Sequence, residues 1–184
     1  MPQAMPRPRK GKKTKRVSAP EPEILEMEPQ KMAVVHSKGN PNRVLKKVLP
    51  ALYRSVFTLK FDLKRKGIAF KVGGLRGRWP DAHLLPKDQW TGILGLPVPA
   101  DTASLPQKAP EMQVKLETWE YGTVAQILHI GPFKTEGPTV KRLHQFIADN
   151  GYEIAGVHEE EYLTSPRAKV QKTLIRYPIK KKAA

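Results

Sequence analysis

The chain has 184 residues, no cysteine and a formal net charge of +16. That length allows one domain with a real core, or two small halves fused. The missing cysteine excludes disulfides, thiolate chemistry and Cys-based zinc sites.

The charge is unevenly placed. Residues 1–20 hold seven Lys and Arg and no acid, and Lys180, Lys181 and Lys182 add three cations near the other end. The sequence predicts a disordered basic arm over 1–20, then one domain over 21–182. Such an arm attracts polyanions by counterion release, which makes non-specific nucleic acid one candidate partner. A solubilising extension fits as well, and the arm has no aromatic residue for base stacking. The five His show neither HxxxH nor HExxH spacing, so no metal is expected. GGLRG at 73–77 lacks the spacing of a phosphate loop, and no cofactor is assigned. No apolar run reaches the roughly 18 residues of a membrane helix, and no signal peptide is visible, so the expectation is a cytoplasmic protein with no membrane partner.

In chain order, Glu21–Glu28 suggests a first short strand and 31–38 a second, around Ala33, Val34 and Val35. Gly39-Asn40-Pro41-Asn42 is a strong break, and Asn40 or Asn42 can cap a helix starting there. From Arg43 to Lys66, Val44, Val48, Leu52, Val56, Leu59 and Leu63 recur at threes and fours, the stripe of a helix packed on a sheet. Pro50 predicts a kink or a restart. Ala69–Trp79 and Gln89–Val98 read as strands, and 99–110 as a loop between a first repeat, 21–98, and a second, 111–182. The second half gives strands at Val114–Glu120 and Thr123–Gly131, a helix around Pro138–Asn150, a strand at Gly151–Leu163 and a last one at Lys172–Ile179.

The stretch GYEIAGVHEEEYL, 151–163, carries the candidate chemistry. Strand side chains alternate faces, so Glu160 and Tyr162 share one face, and His158 joins them if the strand is regular. Two readings stand: solvated glutamates on an edge strand, or a carboxylate and a phenol side by side in a pocket. Glu159 and Glu161 point to the other face, where the sequence offers no reason for two acids. His129, alone in its strand, reads as structural.

Both halves run strand, strand, helix, strand, strand, which predicts a duplicated unit. The expected fold class is α+β: two tandem strand–helix–strand–strand repeats form one antiparallel sheet, with two helices on one face and a ligand cleft on the other.

The pieces KGNPN (38–42), ALYRSVFTLKF (51–61), KVGGLRGRW (71–79), LHIGPF (128–133) and HEEEYLTSPR (158–167) together resemble the GyrI-like small-molecule-binding superfamily, over about 21–180. The superfamily also includes effector domains of drug-sensing regulators, and the resemblance is nearest to its stand-alone members. It implies a central cleft for amphipathic, cationic or aromatic compounds. Its acidic residue in an E-x-Y pattern falls on Glu160, with Tyr162 next in the pattern, and its aromatic after the Gly-rich strand falls on Trp79. Tyr53, Trp119 and His158 are the other lining candidates, with core packing the competing role for each aromatic. Some stand-alone members resemble hydrolases that open strained cyclopropane rings in DNA-alkylating compounds. The expected function is therefore sequestering or sensing an amphipathic molecule. The alternatives are ring-opening hydrolysis with Glu160 as general base and Tyr162 assisting, or nucleic-acid association through the arm.

Overall fold

The computed structural model describes residues 19–82 and 84–184. The basic arm expected over 1–20 falls almost wholly outside the described residues. The elements are β1 (Glu23–Met27), β2 (Gln30–Lys38), α1 (Pro41–Arg65), β3 (Leu75–Arg78), β4 (Thr91–Pro97), β5 (Lys115–Trp119), β6 (Gly122–Ile130), α2 (Gly137–Asp149), β7 (Tyr152–Ile154), β8 (Glu159–Tyr162) and β9 (Lys172–Lys181). All pairings are antiparallel, in the order β1-β6-β9-β8-β3-β4-β2-β5, with β7 also on β9. The sheet curls strongly into a half-barrel. The order β2-β4-β3 in one half matches β6-β9-β8 in the other, and each half lends its first strand to the other. The two halves meet where β3 lies against β8.

α1 forms because its start is capped and its stripe is apolar. Asn40 accepts a hydrogen bond from the Asn42 backbone, Pro41 occupies the first turn, and Lys64 and Arg65 close the last turn. The helix runs through Pro50 without a restart. Proline withholds one N–H from the carbonyl a turn earlier, but Pro50 lies on the exposed side of the helix, where the loss costs less than it would against the core. Val48, Leu52 and Val56 are fully buried against the sheet, each contributing about 1.5–3 kcal/mol.

Two expected strands come out shorter. Of 69–79 only Leu75–Arg78 pairs; Phe70 and Val72 pack on the core without joining a ladder. The single strand expected at 151–163 is two, β7 and β8. The break lies opposite Pro178 of β9. The Pro178 carbonyl accepts from the Ala155 N–H at 2.8 Å, but proline has no N–H to return, and pairing lapses until β8. Among the described residues no helix is long and apolar enough to cross a membrane.

One transverse row of the sheet sets the position of the cavity. Ile127, Ile175, Glu160, Gly77, Leu94 and Val35 are successive register partners on one face. α2 packs on β6 and α1 on β2 and β4, so the helices cover the ends of this row. Its middle, Glu160 and Gly77, lies between them. The cavity therefore opens on the helix-bearing side, not on the opposite face where the sequence placed the cleft. The opposite face is filled instead: Met32, Val34, Trp119, Tyr121 and Val124 form a core there, with a charged cluster beside it.

Candidate functional site

Between the helices is a cavity of about 450 Å³, within the range of small-molecule sites. Its walls are aromatic: Trp79, Trp90, Phe133 and Tyr162. Its acidic groups are Glu136 and Glu160, with His158 beside them, and the start of α1 contributes Asn40, Asn42 and Leu45.

Local chemistry explains each placement. Strand alternation puts Glu160 and Tyr162 on one face, and that face lines the cavity. Glu160 is 6 % exposed. His158 contacts the Glu160 carboxylate through Nε2 at 2.9 Å and the Tyr177 hydroxyl through Nδ1 at 2.7 Å, which fixes the imidazole between them. Trp79 donates from Nε1 to the Tyr162 hydroxyl at 3.3 Å. The Phe133 ring meets Tyr162 edge-on at 5.5 Å, and Trp90 lies 6.2 Å from Trp79. The Lys87 ammonium stands 5.8 Å over the Trp90 ring, the arrangement in which an aromatic wall holds a cation.

Sequence periodicity does not mark Glu136. It precedes Gly137-Pro138, where an acid reads as an ordinary helix cap. Yet its side chain makes no capping bond. It turns into the cavity, and its Oε2 is buried with no hydrogen-bond partner among the described residues. Burial, and then the neighbouring Glu160 charge, raise the Glu136 carboxyl from 4.5 to about 7; the His158 ring works in the other direction. Two carboxylates with oxygens within 4.8 Å of each other repel when both are ionised, so without a cation beside them the pair favours keeping one proton. The Tyr162 phenol is held well above its ordinary value by burial and by Glu160, so it stays a proton donor at neutral pH.

One oxygen each from Glu136 and Glu160 and one ring nitrogen of His158 lie within 4.8 Å of one another. Two carboxylates and an imidazole are also a donor set for a divalent cation such as Mn²⁺, Fe²⁺ or Zn²⁺.

The other expected lining residues are elsewhere. Tyr53, on α1, is partly buried against the core and stacks on Phe57 at 6.2 Å. Trp119 is 3 % exposed on the far side of the sheet, with the Arg78 guanidinium 3.9 Å from its ring. Trp90 and Phe133 take the wall positions instead. Phe133 begins a short 3-10 turn, Phe133–Thr135, where no strand or helix period marks it, and Trp90 follows another, Lys87–Gln89, so it precedes β4 instead of lying in the strand expected over 89–98.

The far face also accounts for Glu159 and Glu161. Glu159, 1 % exposed, accepts from Arg176 and Arg78, both at 2.8 Å, and from the Tyr121 hydroxyl at 3.0 Å. Glu161 takes Arg176 at 3.1 Å and lies 3.4 Å from Arg76. Burial alone would weaken the Arg176 charge, but the two carboxylates more than offset it and raise its affinity for the proton. These bonds join β3, β8 and β9 from behind and hold the strand that presents Glu160.

A Listeria innocua protein described as an uncharacterised conserved protein is similar in structure, at a TM-score of 0.76 and 25 % identity, covering 87 % of this chain and 92 % of its own. A second Listeria innocua structure, described as a hydrolase, has a TM-score of 0.73 at 25 % identity, over 90 % of this chain and 96 % of its own. The EcmrR C-terminal domain shares the fold at a TM-score of 0.62 and 13 % identity, over 89 % and 99 %. None of the curated proteins matches the chain. The profile of the GyrI-like small molecule binding domain matches residues 20–180, and the chain belongs to that family.

Proposed function

We propose that the cavity binds amphipathic aromatic cations, in the role of a sequestering or sensing protein. The observation that supports this most is a buried carboxylate, Glu160, set among the rings of Trp79, Trp90, Phe133 and Tyr162. Positive charge stabilises a buried carboxylate; beyond His158, Glu160 faces the cavity, where a ligand cation would also meet ring faces that add about 0.5–2 kcal/mol of cation–π attraction. The test is quenching of tryptophan fluorescence by a soluble aromatic cation. Saturable quenching at one site per chain supports the reading, and its absence overturns it.

The Glu136–Glu160 pair supports a second reading, hydrolysis of an electrophilic ring-strained compound, and one of the similar structures is described as a hydrolase. Glu160 takes a proton from water as the water oxygen bonds to the strained carbon. The ring bond breaks, its electron pair moves to the oxygen conjugated with the ring, and Tyr162 hydrogen-bonds that oxygen as charge develops. The proton carried by Glu136 then neutralises it, and the proton on Glu160 passes to Glu136 to restore the pair. A ring-opened product carrying one added water, formed in excess over protein, supports turnover. Stoichiometric protection without product leaves binding alone.

A further inference from the structure

We propose that the outward face of α1 is a docking surface for single-stranded nucleic acid. The helix has 25 residues, about 37 Å at 1.5 Å per residue. Its apolar stripe is already buried against the sheet. Around the opposite side, every exposed position from Arg43 to Arg65 is basic, aromatic or Pro50. The one acid of the helix, Asp62, is paired with Arg65.

The aromatic residues make a row. Tyr53, Phe57 and Phe61 recur at four-residue spacing, with centroids 6.2 and 6.4 Å apart. Phe57 is 38 % and Phe61 51 % exposed. Lys60 places its ammonium 5.6 Å from the Phe57 ring, and Arg54 and Lys64 are exposed on either side. Rings for bases and cations for phosphates, interleaved along one line, are what a single strand binds. An anionic membrane is the poorer fit. An interfacial helix inserts its apolar face, and the apolar face of α1 is in the core. This surface is independent of the cavity reading, and it differs from the basic arm in having aromatic groups.

The test measures fluorescence anisotropy of a labelled oligothymidylate of about 16 nucleotides with the full chain, across a range of salt. Phe57→Ser with Phe61→Ser is expected to weaken binding at least tenfold with an unchanged melting temperature. Arg54→Gln with Lys60→Gln and Lys64→Gln is expected to flatten the log–log salt slope by about 2, at roughly 0.7 per lost phosphate contact. The charge variant alters no buried group, so it carries the test if the serine variant melts early. Wild-type binding in both variants would overturn the proposal and leave any affinity to the arm. Tighter binding to phosphatidylserine vesicles than to the oligonucleotide, lost with the same two phenylalanines, would overturn it in favour of a membrane.

Discussion

Glu160 lies directly opposite Gly77 in the ladder between β3 and β8. A Cβ at Gly77 would come 2.9 Å from the Tyr162 hydroxyl and 3.1 Å from Trp79 Nε1. The absent side chain is what lets these two groups meet over the seam. Gly77→Ala is expected to break the Trp79–Tyr162 bond and weaken aromatic-cation binding about tenfold, with about 1–3 kcal/mol of stability lost to overpacking. Ligand titration and denaturant melts measure the two effects. Unchanged affinity would mean that the Trp79–Tyr162 wall does not touch the ligand.

The Glu136 carboxyl gives the site a pH dependence of known sign. The unfolded chain loses that proton near 4.5 and the folded chain near 7. Between those values the folded state keeps a proton that the unfolded state has lost. This group's contribution to stability therefore falls as pH rises from about 4.5 to about 7, and is flat above. Glu136→Gln is expected to remove that slope from a series of denaturant melts. A cation entering the cavity displaces the same proton. Calorimetry in buffers of different ionisation enthalpy is expected to show proton release on binding at pH 6 and little at pH 8.

Glu159 and Glu160 are neighbours in sequence with opposite expected phenotypes. Glu159→Gln leaves Arg176 and Arg78 short of a buried counter-charge, and about 3–5 kcal/mol of stability is expected to go. At roughly 2–4 °C per kcal/mol for a chain of this size, the melting temperature falls by about 10 °C. Cavity affinity per folded molecule changes little. Glu160→Gln does the reverse. Thermal melts and ligand titrations on the two variants separate a holding carboxylate from a binding one.

Much of the fold and part of the site are legible in sequence, for physical reasons. The α1 stripe, the repeated order of elements and the shared face of Glu160 and Tyr162 are all consequences of local periods, 3.6 and 2. The side of the sheet on which the cavity opens is not legible, because strand alternation says which residues share a face but not which face the helices cover. Glu136 and Phe133 escape notice because they sit at turns, where no period applies, and Trp90 falls at the start of the strand expected over 89–98, where an aromatic reads as core. The partners of Glu159 and Glu161 escape it because Arg76, Arg78 and Arg176 are brought to them only by the β3–β8–β9 register.

The central claim is that the Glu160 charge selects the ligand. The most direct measurement compares N-methylacridinium with neutral acridine, two rings of nearly the same shape, in wild type and Glu160→Gln at pH 7.5. Wild type is expected to prefer the cation by tenfold or more, about 1.4 kcal/mol, and the variant to bind both alike. Equal binding of the two by wild type, or a preference that survives in Glu160→Gln, would contradict that claim.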